Sequence, residues 1–398
     1  MTDFLDDRAL CTIGLHAHPA HPALSDAPAG CRPMRVVEVQ RTHVLLHDGH
    51  RLHRAPPQAI AQAVTQAVTQ AAPSGQAGTA STVDEPDDKW LVVGDWVWAQ
   101  PGARSTPGAI RWPRRTALVR RTHDGRGGIL RQVLVANVDM ALLVMGLDHD
   151  FNPRRLERYL ALVHLAGLQA ALVLTKADLV DPAQAARREA LAREVLPPAM
   201  PCLAVDARAP VTAQQLRPWL LPGQTGVLLG SSGAGKSTLT STLARPGGSA
   251  DGDGESDGDG LDDRQRPLAG ATRAGDDRGR HTTTVRTLHH TASGACLIDT
   301  PGLRALRLDV DDADDLAQAF GDVARWAAQC RFRDCQHQAE PGCAVRAALP
   351  EARLRNFHKL VREARRDQLS ALERQTQLAQ GKARGRAGRQ RLQAKREG

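Results

Sequence analysis

Gly230-Ser231-Ser232-Gly233-Ala234-Gly235-Lys236-Ser237 decides the reading of this chain. The octet fits G-x-x-x-x-G-K-[ST], a loop whose backbone N–H groups converge on phosphate oxygens while its Lys reaches the outer phosphates. The apolar run Gly226–Leu229 before it is strand text, and Ser237–Ala244 after it is helix text. Strand, loop and helix in that order set the positive end of a helix against the anion. Gly230, Ser231, Ser232, Gly233, Ala234, Gly235 and Thr238 are expected to line the cradle. Lys236 is expected on the β- and γ-phosphates and Ser237 on Mg2+.

Downstream, Ala295-Cys296-Leu297-Ile298 leads into Asp299-Thr300-Pro301-Gly302. An acid at the carboxyl end of a strand beside a phosphate loop can hold Mg2+ through water. Asp299 is expected in that role, with the Gly302 N–H turned to a γ-phosphate. Upstream, the apolar strand Ala170–Leu174 ends in Thr175-Lys176-Ala177-Asp178. This fits the N/T-K-x-D element that reads guanine. Its Asp accepts hydrogen bonds from N1–H and the exocyclic amine, and adenine leaves it unpaired. Lys176 is expected over the base plane. Basic residues number 52, of which only six are Lys, so two Lys in two motifs stand out. Val205-Asp206-Ala207 is a candidate second base-contacting loop, with Asp206 where Ser is usual.

In Ras-like enzymes the phosphate loop comes first and the base-reading element last. Here residues 175–178 precede residues 230–237, and 299–302 follow. That is a circular permutation, which a site built from neighbouring strand ends tolerates.

The flanking text is α/β. Gln132–Val138, Met140–Met145 and Cys202–Val205 are further strand candidates, as are Val285–Leu288 and Ala295–Ile298. Asn152-Pro153 reads as an N-cap and first turn, with Leu156, Tyr159, Leu160 and Val163 lining one face. Helices are expected at about 182–195 and 212–220, and from Asp311 onward. Before the sheet, Met34–Gly49, Trp90–Gly102, Ala109–Trp112 and Ala117–Val119 read as short strands of a small β-barrel. The Gly/Asp-rich stretch 251–263 tempts a calcium reading, but Arg264 falls where a bidentate Glu is needed, so a solvated insertion is expected.

Cys330, Cys335, His337 and Cys343 give three thiolates and one imidazole within fourteen residues. Four such ligands suit tetrahedral Zn2+ with no open position, hence one structural ion per chain. Seven Cys in all is odd, which fits a metal better than a disulfide framework.

Composition sets outer limits. Charged residues are 24% and apolar ones 41%, which excludes a wholly disordered chain. The net charge of +8 favours a polyanionic partner. Arg111, Arg114, Arg115, Arg120 and Arg121 beside Trp112 look suited to phosphate and base contacts, and the tail 382–398 to RNA phosphate. The N-terminus lacks a signal peptide's apolar segment, and no run approaches the ~20 residues of a membrane span. A cytoplasmic protein with no membrane contact is expected.

Leu91-Val92-Val93-Gly94-Asp95-Trp96-Val97, Gln132–Asp139 and Gly279-Arg280-His281-Thr282-Thr283-Thr284 complete a pattern. With the permuted order and the Cys/His spacing, it resembles the RsgA (YjeQ) family of bacterial small-ribosomal-subunit biogenesis GTPases over about residues 34–365. The resemblance implies a multidomain α/β chain. It has an OB-fold β-barrel (34–130, with an inserted loop 55–88) and a circularly permuted P-loop GTPase domain (131–308, with an insertion 247–278). A zinc-binding helical domain (309–381) follows, flanked by a loose extension 1–33 and a basic tail 382–398. It implies GTP hydrolysis stimulated by the 30S subunit during late maturation, contact with 16S rRNA, and a monomer. Gly279–Thr284 resembles switch I, so Thr282 or Thr283 should reach Mg2+, with His281, Thr283 and Lys236 as catalytic candidates. Leu303 stands about where Ras-like enzymes orient water with Gln, so intrinsic hydrolysis should be slow. The rival readings are an RNA-binding zinc/OB protein with a non-catalytic nucleotide site and a P-loop ATPase of another class.

Overall fold

The computed structural model describes residues 7–15, 22, 24–56, 90–101, 110–123, 129–244, 285–301, 307–308, 316 and 318–368. The chain forms two compact units, Met1–Val119 with Val133–Leu306, and Arg120–Gln132 with Arg307–Gly398. His281, Thr282, Thr283, Gly302, Leu303, the stretch 251–263 and the tail all lie outside the described residues.

The first unit opens with α1 (Asp7–Thr12), followed by β1 (Arg32–Val39), β2 (Val44–His47), β3 (Leu52–Ala55), β4 (Trp96–Ala99) and β5 (Ile110–Arg111). β1 pairs antiparallel with both β2 and β4, and β4 with β5. Met34, Val36, Val44, Leu46 and Val97 fill the core beneath them. Within the stretch 1–33, expected as a loose extension, residues 7–15 include a short helix and two buried side chains. Leu10 and Ile13 of that stretch are buried, and the Arg35 guanidinium donates to the Ile13 carbonyl. Two buried side chains are too few to leave a readable period in the sequence.

The nucleotide half follows. β6 (Ala117–His123) and β7 (Ile129–Ala136) lead into β8 (Met140–Gly146), α2 (Pro153–Leu165), β9 (Gln169–Thr175), α3 (Pro182–Arg193), β10 (Cys202–Ala204) and α4 (Pro210–Leu216). Then come β11 (Thr225–Leu229), α5 (Lys236–Ala244), β12 (Thr287–His290) and β13 (Cys296–Asp299). The sheet order is β10-β9-β8-β11-β13-β12-β1-β2-β3. From β10 to β13 every pairing is parallel, and β12 and β1 turn antiparallel. Strands buried on both faces read as continuous apolar text, which is why β8, β9 and β11 are so legible. Asn152 Oδ1 accepts the Arg155 N–H at 3.2 Å, and Pro153 sits in the first turn of α2, as its sequence indicates. Asp181 caps α3 by accepting from the N–H groups of Ala183 and Gln184. Leu142, Val144, Val173, Leu228, Leu239 and Leu297 form the core between sheet and helices.

In the second unit, β14 (Arg307–Leu308) pairs antiparallel with β6 through Arg121 and Arg120. Three helices follow, α6 (Gly321–Ala327), α7 (Ala344–Ala348) and α8 (Glu351–Gln368). Phe320 meets Phe357 edge to face with ring centroids 5.4 Å apart, and Arg353 binds Asp322 at 2.9 Å. Among the described residues, no helix is long and apolar enough to cross a membrane.

Candidate nucleotide site and metal cluster

In an open parallel sheet, ligands sit outside the carboxyl ends of the strands where the strand order reverses. Here that point lies between β8 and β11, since β9 and β10 extend from one side of β8 and β11 and β13 from the other. The sequence places its three motifs at these ends: Thr175 closes β9, the phosphate loop follows β11, and Asp299 closes β13.

The phosphate loop is packed so that only glycine serves at its key corners. A Cβ on Gly230 would strike the Val144 carbonyl oxygen. Gly235 has φ +93° and lies against Thr175, whose Oγ1 would be 3.2 Å from an added Cβ. Thr175 Oγ1 donates to the Ala234 carbonyl at 2.6 Å, so the Thr175–Asp178 segment and the glycine-rich loop share a hydrogen bond. Lys236 is buried, and its ammonium donates to the carbonyls of Gly230 (3.0 Å) and Ser231 (2.7 Å). Burial pulls its pKa down, against the opposing charges of Asp299 and Asp150. A desolvated ammonium at the mouth of a glycine loop is an anion site. Gly233, Ser237 and Thr238 are exposed on the same loop and helix start.

Ser237 Oγ donates to Asp299 Oδ2 at 3.1 Å, while Asp299 Oδ1 is buried with no hydrogen-bond partner. Burial pushes the Asp299 carboxyl up, opposed by Ser237 and Lys236. An orphaned buried carboxylate oxygen beside a hydroxyl fits a hard cation such as Mg2+. Thr300 Oγ1 donates to the Leu228 carbonyl at 2.6 Å and fixes the turn after β13.

At the base-reading end, Lys176 adopts φ +62° and its ammonium binds Asp148 at 2.7 Å. Burial works against the Asp148 carboxylate, yet the Lys176 hydrogen bond and the Asp150 N–H hold its pKa below the usual value. The Val205–Ala207 segment does meet this end: the Val205 N–H donates to the Leu174 carbonyl and the Ala177 N–H to the Val205 carbonyl. Asp178 is exposed, and Arg208 binds its carboxylate at 2.7 Å.

Three residues not singled out in the sequence belong to this site. Asp148 anchors Lys176, Asp150 accepts from the Ser231 hydroxyl at 2.6 Å, and Arg208 pairs with Asp178. The signal for the first two was their place just after β8, beside the switch point. By contrast, the basic and aromatic patch around Trp112 needs correction. Trp112 is 2% exposed and stacks on Trp96, while Arg114 and Arg115 are tied to Asp95 and Asp139 at 2.6 Å. Trp112 is thus core rather than a platform for bases. Arg120 holds Gln132, and the Arg121 side chain lies outside the described residues.

In the second unit the ligand atoms of Cys330, Cys335, His337 and Cys343 all lie within 4.8 Å of one another. His337 adopts φ +58°, and its Nδ1 is 3.6 Å from Cys330 Sγ and 3.5 Å from Cys343 Sγ. The Arg346 N–H donates to Cys343 Sγ at 3.4 Å. Glu340 accepts the N–H groups of Gln336, Gln338 and Ala339 and so closes the loop between the candidate ligands; its own backbone N–H first, and then these three, pull its carboxyl down to about 2. Three clustered sulfurs with an N–H aimed at one of them fit a thiolate-bound metal.

The sequence model of the RsgA GTPase family matches residues 111–309. The small ribosomal subunit biogenesis GTPase RsgA of Xylella fastidiosa (strain M23) is 43% identical over 353 residues, covering 87% of this chain and 92% of that protein. The protein of the same name from Xanthomonas euvesicatoria pv. vesicatoria (strain 85-10) is 46% identical over 284 residues, covering 69% and 70%. Among solved structures, YloQ, described as a circularly permuted GTPase, aligns with TM-score 0.51 at 19% identity, covering 88% of this chain and 98% of its own. YjeQ from Thermotoga maritima aligns with TM-score 0.52 at 20% identity, covering 84% and 98%. The permuted order of the motifs, the joining of their loops at one sheet edge and the extent of these matches lead to one assignment: the chain belongs to the RsgA GTPase family and is a GTP hydrolase.

Proposed function

We propose that this GTPase acts in maturation of the small ribosomal subunit, binding the 30S particle and hydrolysing GTP at a rate the particle raises. The observation that carries the nucleotide half is the Thr175–Ala234 hydrogen bond, which sets the base-reading and phosphate loops side by side. The ribosomal half is supported by relatives whose names state that role.

In this reading the N–H groups of residues 230–237 and the Lys236 ammonium hold the phosphates, and Asp178 accepts the guanine edge. Ser237 and Asp299 would hold Mg2+, with Thr282 or Thr283 joining from the switch segment. Held there, Mg2+ would supply neutralisation of the charge that develops on the transferring phosphate. From the sequence pattern, the Gly302 N–H would turn to the γ-phosphate and His281 would position water. Cys330, Cys335, His337 and Cys343 would hold one structural Zn2+. The N-terminal strands would serve as the OB barrel that the family resemblance implies and, with the zinc domain and the tail 382–398, would contact 16S rRNA. The chain works as a cytoplasmic monomer.

Leu303 cannot orient water, so turnover alone should be slow. Steady-state GTP hydrolysis with and without purified 30S subunits tests this. An increase of roughly tenfold or more is expected, by analogy with activators that complete a GTPase site. Equal rates with saturating subunits would refute the proposed stimulation.

A further inference from the structure

We propose that Arg208 is a specificity-determining residue of the nucleotide site, a guanidinium that occupies the Asp178 carboxylate until a guanine base displaces it. The proposal rests on the reading of Asp178 as the guanine acceptor. Arg208 Nη2 lies 2.7 Å from Asp178 Oδ2, and its Nε lies 3.7 Å from Asp206 Oδ1. The segment that carries it is fixed at the strand end. The Asp206 carboxylate accepts the Arg208 N–H at 2.9 Å, the Asp206 carbonyl accepts Thr212 Oγ1 at 2.6 Å, and the Ala207 carbonyl accepts Thr242 Oγ1 at 2.7 Å. The Arg208 side chain is 67% exposed, so it can leave without opening the core.

The chemistry is one of imitation. Guanine presents two parallel donors, N1–H and the exocyclic amine, and needs both oxygens of a carboxylate. A guanidinium presents the same kind of paired N–H donors. Guanine and Arg208 therefore compete for Asp178, and guanine binds only after the ion pair breaks. Hypoxanthine has N1–H but no amine. It needs one oxygen, and Arg208 can keep the other. Arg208 thus lowers guanine affinity more than hypoxanthine affinity. Exposed ion pairs are weak and screened by salt, so the effect is roughly two- to fivefold in Kd and shrinks as salt rises.

The test is calorimetric titration of the full chain with GDP and with inosine diphosphate, for the wild type and Arg208→Ala. Arg208→Ala should bind GDP about two- to fivefold more tightly at low salt. The ratio of GDP to inosine diphosphate affinity should rise with it, and both gains should fade near 0.5 M salt, where the Debye length is only about 4 Å. A residue that merely shapes the loop would move both nucleotides alike. Unchanged or weaker GDP binding by Arg208→Ala, or an unchanged ratio, overturns the proposal. Asp178→Asn separates this from the underlying reading. If Asp178→Asn keeps its preference for GDP over ADP, the reading of Asp178 fails. If it loses that preference while Arg208→Ala behaves as wild type, only the role of Arg208 fails.

Discussion

Lys236→Ala is expected to lower kcat for GTP by about 10²–10³-fold, the loss seen when one preorganised donor to transition-state charge is removed. The ammonium is buried, and its two hydrogen-bond acceptors are the carbonyls of Gly230 and Ser231, two members of its own loop. It is therefore pre-set on the phosphate cradle before substrate arrives. Burial lowers its pKa, against the opposing charges of Asp299 and Asp150. A bound triphosphate would pair that ammonium charge, most of all as negative charge spreads over the transferring group. Nucleotide affinity should fall less than kcat, because the loop N–H groups remain. Single-turnover hydrolysis with saturating 30S subunits measures the loss, and turnover within twofold of wild type would contradict the assignment.

The second large effect is structural. Cys330→Ser should reduce zinc content from near one ion per chain to below about 0.1 and unfold the region between α6 and α8. Between Ala328 and Cys343 there is no regular helix or strand, so an ion held by the four candidate ligands, with the Glu340 backbone contacts, would be what orders it. Metal binding at structural zinc sites is worth about 10–16 kcal/mol, as large as a typical domain's whole stability of about 5–15 kcal/mol. Losing one of four ligands thus outweighs any packing that survives, such as the Phe320–Phe357 contact. Atomic absorption and hydrogen exchange across residues 321–368 would report the loss. Full metal content with unchanged protection would remove Cys330 from the site.

How much of this was legible in the sequence differs by element. The phosphate loop, Thr175–Asp178 and Asp299 could be read because each follows a strand buried on both faces, whose apolar text has few alternatives. The Cys/His cluster could be read because its four ligands fall close together in sequence. Arg208 and Asp178, Lys176 and Asp148, and Ser231 and Asp150 could not. Their partners lie 30, 28 and 81 residues apart, and a single charge carries no pattern that points across the sheet. Trp112 failed for a related reason. β5 is two residues long, too short for alternation to tell core from surface. Helix α1 escaped because only two of its neighbourhood's side chains, Leu10 and Ile13, are buried.

Asp178 and Lys236 are held to grip opposite ends of one nucleotide, and a change of base tests that directly. Xanthine keeps N1–H but replaces the exocyclic amine with a carbonyl, the complement of an amide side chain. Asp178→Asn should therefore disfavour GTP by about 10²-fold, the cost of an unpaired polar group, and accept xanthosine triphosphate as its substrate. Adding Lys236→Ala to that variant should abolish its xanthosine triphosphate turnover. If Asp178→Asn instead hydrolyses GTP as the wild type does and ignores xanthosine triphosphate, the two residues do not share a nucleotide.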